Sequence, residues 1–245
     1  MARVLVPLPD RDFDTTEVAV PWKVLARAGH DVVFATEAGA TPTCDPKLLH
    51  GVVFGQLGAK EPTKAIYREL EGVAAFTKPL VWRDVEPRDF DALVLPGGHA
   101  PGMKQYLGSL LLQEKVAAFA RTGRPLAAIC HGVLVLARAK DPETGRSVLA
   151  GRTTTCLPKY MERLAYWSTA WKVGRYYRTY DAYVEDEVVA ALGDRSRFVR
   201  GPWTLFTHGT DDSDDGAFVV EDGSYVSARW PGDAWLFARS LAARL

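Results

Sequence analysis

The sequence contains few cysteines, and no pattern links them. Its 245 residues include three, Cys44, Cys130 and Cys156. An odd number of widely spaced cysteines does not indicate a disulfide framework, and the absence of a Cys-x-x-Cys pair gives no sign of structural zinc. This usage is typical of a reducing compartment.

Charge imbalance and long apolar runs are also missing. Lys plus Arg and Asp plus Glu total 30 each, which argues against a nucleic acid or membrane surface as partner and favours a small molecule or a protein. No run of 18 apolar residues predicts a membrane span. The apolar run 3–8 is too short for a signal peptide. We therefore expect a cytoplasmic protein.

What is present is an alternation of apolar runs and amphipathic stretches. Runs typical of buried strands alternate with segments of helical period, several of which end at glycine. Because a strand–helix–strand unit implies parallel pairing, the pattern predicts an α/β three-layer sandwich with a mostly parallel sheet. The strands are predicted at 3–8, 31–36, 91–98 and 125–130, and the helices at 17–29, 109–123 and 131–139.

Two stretches interrupt this alternation, at about 43–82 and 157–193. The first shows helical pieces and no clear strand, and the second ends in a plausible helix. We interpret both as helical insertions in a single domain, 1–245, because neither has enough strands for a core of its own. Asp222-Gly223, flanked by two β-like runs, predicts a hairpin, and a helix is expected at the C-terminus.

Cys130 lies in the sequence AAICHG, between a predicted strand and a predicted helix. A nucleophile at such a junction occupies a tight, strained turn at the mouth of the sheet. The helix N-terminus and the His131 imidazole are expected to lower the thiol pKa. The His131 N–H is placed to bind an oxyanion. The alternative is an unreactive, buried cysteine, which is common for this residue type.

Two further features are predicted at the same edge of the sheet. Gly97 and Gly98 follow a strand and could present backbone N–H groups to a ligand, with His99 next to them as a substrate contact. Glu17 lies at the start of the first helix. Taken alone, Glu17 is typical of a carboxylate that stabilises the first turn of a helix, with Thr15 or Thr16 as the N-cap. Ligands bind at this edge in open α/β sheets.

Together these pieces resemble the PfpI-type superfamily, a branch of the class I glutamine amidotransferase-like, flavodoxin-like fold. The resemblance rests on TTEVAVPWKVLARAGHDVVFAT, ALVLPGGHAPG, AAICHG and YVSARWPGDAW, and it covers most of the chain. The superfamily includes intracellular proteases, the Parkinsonism-associated deglycase and heat-shock chaperones with glyoxalase III activity.

The resemblance implies roles for individual residues. Cys130 would be the nucleophile in an elbow, His131 its imidazole partner, and Glu17 a carboxylate that shares a proton with the thiol. The N–H groups of Gly98 and His131 would bind the oxyanion. Heat-shock-type members complete a triad with an acid about 30 residues beyond the cysteine, and Glu162 is in that register; the alternative is an exposed helix carboxylate.

Metal and cofactor sites are not expected. Some heat-shock-type members bind a metal near the first helix, but Lys23, Leu25 and Arg27 stand there in this sequence. The acids of 211–222 have the spacing of a calcium loop, yet a strand follows where a helix is required. A Gly-x-Gly-x-x-Gly dinucleotide loop is absent. We predict no metal and no cofactor.

The leading functional hypothesis is a cysteine-dependent, glyoxalase III-like lyase or deglycase. It would convert small carbonyls such as methylglyoxal to lactate without glutathione, in stress-related detoxification. The alternatives are a stress-response chaperone or redox sensor, and a PfpI-type peptidase or amide hydrolase. A homodimer is expected from the resemblance. The aromatic stretch 164–183 could roof the site, form a dimer contact or simply pack as cap helices.

Overall fold

The computed structural model describes residues 1–53 and 55–245. In this part of the chain the strands are β1 (Arg3–Pro7), β2 (Arg11–Phe13), β3 (Asp31–Thr36), β4 (Thr43–Cys44), β5 (Leu80–Val81), β6 (Ala92–Leu95), β7 (Leu126–Ile129), β8 (Val219–Asp222) and β9 (Tyr225–Ala228). The helices are α1 (Thr15–Arg27), α2 (Pro46–His50), α3 (Glu61–Leu70), α4 (Ala74–Thr77), α5 (Met103–Leu107), α6 (Leu110–Ala120), α7 (Val133–Arg138), α8 (Lys159–Val173), α9 (Val184–Leu192) and α10 (Ala234–Ala242).

The main sheet has seven strands in the order β5-β3-β1-β6-β7-β9-β8. All neighbours pair in parallel except β8 and β9, which form an antiparallel hairpin. Strands β6 and β7 are buried along their whole length, which is typical of parallel strands covered on both faces. The hairpin at Asp222-Gly223 is confirmed.

Helices cover the sheet as two packed groups. Helix α1 packs against α3 and α10, while α7 packs against α6 and α9. The result is the predicted three-layer α/β sandwich with a mostly parallel sheet. No helix in the described part of the chain is long and apolar enough to cross a membrane.

The structure corrects the prediction for 43–82 and agrees with that for 157–193. The first stretch contains α2, α3 and α4, but also two short strands, β4 and β5. Strand β5 forms the edge of the main sheet, pairing with Ala35 and Thr36. A strand of two residues is too short to show a periodic pattern, so the sequence did not reveal it. The second stretch contains α8 and α9, joined by a non-helical segment at 174–183.

Candidate active site

Cys130 occupies the turn between β7 and α7. Residues Cys130–Gly132 form a single 3₁₀ turn, and the φ angle of Cys130 is +57°. A left-handed conformation at a residue other than glycine costs on the order of 1–2 kcal/mol. Gly132 allows the turn, because a Cβ there would lie 2.1 Å from the Leu95 carbonyl oxygen. This is the strained strand-to-helix elbow that the sequence predicts.

Glu17 meets the cysteine across Gly97. The Gly97 N–H donates to Glu17 Oε2 at 2.8 Å. A Cβ on Gly97 would lie 2.7 Å from that oxygen and 3.0 Å from Cys130 Cβ. The other oxygen, Oε1, is buried and accepts no N–H or O–H from the described residues, and the thiol interacts with this carboxyl. Three loops at the carboxyl ends of parallel strands therefore converge on one point.

The protonation of this pair differs from the sequence-based expectation. Burial raises the pKa of the Glu17 carboxyl well above its ordinary value, and nearby Asp14 raises it further. Burial also raises the pKa of the Cys130 thiol, and the Glu17 charge adds to that rise. The His131 N–H does lower the thiol pKa, but the loss of solvation outweighs it. The prediction of a lowered thiol pKa is wrong, and burial favours the protonated form of both groups.

The two histidines of the site are neutral at pH 7. His131 Nδ1 lies 3.5 Å from Cys130 Sγ. Burial lowers the pKa of His131 well below its usual range, and the neighbouring His99 lowers it further. Burial also lowers the pKa of His99 to about 4. The ring of His99 lies 5.5 Å from that of His131, so the pair presents neutral imidazoles beside the sulfur.

Gly97 and Gly98 have different environments. The Gly97 N–H is engaged by Glu17, so this glycine orients the carboxyl. Gly98 lines the same cavity as Cys130, and in the described part of the chain its N–H donates no hydrogen bond. Its φ of +144° and a Cβ position 2.9 Å from the Asp12 carbonyl oxygen require glycine. This leaves the Gly98 N–H available to an oxyanion.

Glu162 has other hydrogen-bond partners. Its Oε1 accepts from Arg178 at 2.8 Å, and its Oε2 accepts from the Val184 N–H at 3.0 Å. The contact with His131 implied by the resemblance is not among the hydrogen bonds of the described residues. The cause is tertiary: Glu162, in the first turn of α8, satisfies a free N–H at the start of the neighbouring helix α9.

Sequence reasoning missed two buried acids near the site. Asp14 is the N-cap of α1 and accepts from the N–H groups of Thr16 and Glu17, at 2.8 and 3.1 Å; neither Thr15 nor Thr16 is the cap. Burial raises its pKa to about 6. The signal was present, because Asp before a helical run is a strong N-cap.

The second acid, Asp45, connects the aromatic stretch to the site. Asp45 accepts from the hydroxyls of Tyr176 and Tyr177, both at 3.1 Å. The Tyr177 ring lies 4.4 Å from the His99 ring, and the Thr179 hydroxyl donates to the His99 carbonyl at 2.6 Å. Part of the aromatic stretch therefore covers the site. The contacts of Asp45 span more than 130 positions, and no local pattern indicates them.

A cavity of about 840 Å³ opens above Cys130, Gly98 and His99. Apolar side chains in its wall include those from α8 and the turn before it, from segment 199–218, from the β9–α10 connection and from the start of α10: Leu157, Met161, Leu164, Leu205, Trp230 and Trp235. The described residues contain no group of three or more side chains placed to hold a metal ion. The cavity thus reaches the Cys130 thiol, Gly98 and the His99 ring, and apolar side chains form much of its wall.

A cysteine in a strained elbow beside a buried glutamate, on a mostly parallel sheet, defines a thiol-bearing α/β protein of the PfpI type. The family model described as ThiJ/PfpI family-like matches residues 8–202, and the chain belongs to this family.

Individual relatives agree with the family assignment. The chain is 30% identical to an uncharacterized protein of Schizosaccharomyces pombe, over 98% of this chain and 82% of that protein. It is 27% identical to a deglycase of Pyrococcus abyssi, over 97% of this chain and 95% of the relative. The fold is similar to that of glyoxalase III from Candida albicans, with a TM-score of 0.72, 21% identity and coverage of 100% and 97%.

Proposed function

We propose that the protein is a cysteine-dependent enzyme of the deglycase or glyoxalase III type, acting on reactive carbonyl compounds such as methylglyoxal. The observation that carries this proposal is the Cys130–Glu17 pair, held across Gly97 at the end of a cavity. The deglycase relative in Pyrococcus abyssi supports it.

The reaction needs no external oxidant. The Cys130 sulfur adds to the aldehyde carbon of a 2-oxoaldehyde, and its proton passes to oxygen, giving a hemithioacetal. A base removes the C1 proton to form an enediol, and reprotonation at C2 gives the thioester of a 2-hydroxy acid. Water then hydrolyses the thioester, releasing the acid and the thiol. One carbon is oxidised and its neighbour reduced, so methylglyoxal plus water yields lactate.

Each residue has a role that follows from its position. Glu17 takes the thiol proton during addition, because the two groups share a buried site. His131, neutral and 3.5 Å from the sulfur, moves the proton between C1 and C2. The N–H groups of Gly98 and His131 bind the developing oxyanion. His99 contacts the substrate, and Glu162 serves the start of α9.

The test compares wild type with Cys130→Ala and, as a matched control, Cys44→Ala. Each is incubated with methylglyoxal in the absence of glutathione, and lactate is measured. We expect turnover in wild type and Cys44→Ala, and a loss of at least about 10³-fold in Cys130→Ala. Equal lactate formation by wild type and Cys130→Ala would contradict the proposal.

The alternatives predicted from the sequence gain less support. A redox sensor requires an accessible thiol of low pKa, whereas burial raises the pKa of Cys130. A chaperone would suppress aggregation of a denatured client equally in wild type and Cys130→Ala. A peptidase would release amines from peptides in a Cys130-dependent manner, which the same variant tests. The homodimer and the cytoplasmic location stay predictions.

A further inference from the structure

The cavity is large compared with methylglyoxal. Methylglyoxal has five heavy atoms and would fill on the order of 150 Å³, if each atom takes about the volume of one water molecule. The cavity measures about 840 Å³. Pockets of roughly 300–1,000 Å³ hold ligands of drug size. A methyl group would leave most of the chamber empty or filled with water.

The wall opposite the thiol is apolar. Met161 and Ala165 are buried on one side of α8 and line the cavity, and Trp235 lines it from α10. Covering apolar surface of this kind with an apolar group of a ligand stabilises the complex by about 25 cal/mol per Å². A small, hydrated dicarbonyl covers little of this surface and so obtains much less of that stabilisation.

The apolar lining also reaches the mouth of the chamber. Leu164 and Phe206 line the cavity and are 44% and 83% exposed. The reacting end is different in character, because Cys130, Gly98 and His99 lie there. The chamber therefore has its reactive groups at one end and apolar surface that extends to solvent, and some charged side chains also line it: Arg27, Lys60, Asp211 and Asp212.

We infer that the carbonyl compound converted at Cys130 carries a bulky apolar group, of the size of an aryl ring or larger, in place of the methyl group of methylglyoxal. This inference rests on the proposed function. The carbonyl carbon meets the sulfur at the reactive end, while the apolar group lies against α8 and the β9–α10 connection. The bonds formed and broken are those of the proposed reaction, so an aryl 2-oxoaldehyde plus water yields an aryl 2-hydroxy acid.

The experiment compares phenylglyoxal with methylglyoxal, measuring mandelate and lactate. In wild type we expect a kcat/KM for phenylglyoxal at least about 10-fold higher, since filling an apolar pocket discriminates by about 10–200-fold. Ala165→Phe fills the chamber; by the same reasoning it should lower the phenylglyoxal value at least about 10-fold and change the methylglyoxal value less than about 3-fold. Arg163→Phe places the same aromatic side chain on the exposed side of α8 and should change neither.

The outcomes separate the two proposals. Turnover of methylglyoxal without a preference for phenylglyoxal, or an equal loss of both activities in Ala165→Phe, would overturn the inference alone. Absence of Cys130-dependent turnover of either compound would overturn the proposed function. If Ala165→Phe does not fold, Ser168→Phe replaces it, because Ser168 also lines the cavity and is only half-buried.

Discussion

At the scale of single residues, desolvation decides which groups of the site carry a charge. Cys130, His131 and Glu17 are at most 5% exposed. Burial raises the pKa of Glu17 and Cys130 and lowers that of His131, and each shift favours the uncharged form. A resting thiolate–imidazolium pair is therefore disfavoured. The reactive state forms when a proton leaves the thiol for Glu17 as the carbonyl compound arrives.

Glu17→Gln tests this proton transfer. The introduced amide oxygen can still accept from the Gly97 N–H, so the fold should be retained, but the amide cannot take a proton. We expect kcat/KM to fall by about 10²–10⁴-fold, the usual contribution of a general base. Because the pKa of Glu17 is raised, wild-type activity should fall as pH decreases through that raised pKa. The Glu17→Gln variant should lack that dependence.

The measurement is the pH–rate profile of both proteins, with circular dichroism as the folding control. A folded Glu17→Gln variant with wild-type kcat/KM would exclude Glu17 as the base.

At the scale of elements, the start of α1 sets the position of Glu17. Asp14 caps the helix through two backbone N–H groups, which places Glu17 in the first turn beside the Gly97 loop. A backbone hydrogen bond from Asp14 N–H to the Gly97 carbonyl, at 2.9 Å, joins the two segments. The cap and the site are therefore one structural unit.

Asp14→Asn keeps this cap and removes its buried charge. The pKa of Asp14 is about 6 in the folded protein, against an ordinary value of 3.8. The folded state thus holds a proton that the unfolded state releases, and stability decreases as pH rises from about 4 to about 6. The full cost is about 3 kcal/mol above pH 6, at 1.36 kcal/mol per pKa unit. The Asp14→Asn variant should be more stable than wild type at pH 7.5, by up to that amount.

Urea unfolding at pH 4.5 and 7.5 measures the effect. Asparagine is as good an N-cap as aspartate, so the two proteins should differ by only about 1 kcal/mol at pH 4.5, where most of the cost of the charge is not yet present. A variant less stable than wild type at pH 7.5 would mean that the attraction between the Asp14 charge and the helix start exceeds the cost of burial.

At the scale of the whole molecule, a buried ion pair connects the last strand, the last helix and segment 199–218. Arg229 and Asp233 are both fully buried, with contacts of 2.9 Å from Nε and 2.8 Å from Nη2. Arg229 also donates to the carbonyls of Pro202 and Gly216, at 2.6 and 3.0 Å. The pair therefore holds the segment that carries Leu205 and Phe206 against the cavity.

Asp233→Asn should break this connection. Removing one partner leaves an unpaired charge in the core, which costs about 3–5 kcal/mol. The double variant Arg229→Met, Asp233→Asn should lose less than the sum of the two single changes, because no charge is left unpaired. Urea unfolding of the four proteins forms the cycle. A loss below about 1 kcal/mol in Asp233→Asn would contradict the role of the pair.

The sequence by itself determined the layering and the elbow. Apolar runs alternating with amphipathic helices dictate a parallel sheet, and parallel strands bring their carboxyl ends to one edge. Glu17, the Gly97-Gly98 loop and Cys130 could therefore be placed together from their positions in the chain. The hairpin at Asp222-Gly223 was predictable for a related reason, since its signal is local.

Only the tertiary structure decided the protonation of the site residues, the hydrogen-bond partners of Glu162, the β5 edge strand and the cavity. The direction of a buried pKa depends on how much water the surrounding elements exclude, and those elements are distant in sequence. The partners of Glu162 lie 16 and 22 residues away, beyond the reach of a spacing rule. The chamber over Cys130 is lined by α8, segment 199–218, α10 and residues 55–66, whose arrangement follows from packing rather than from any local pattern.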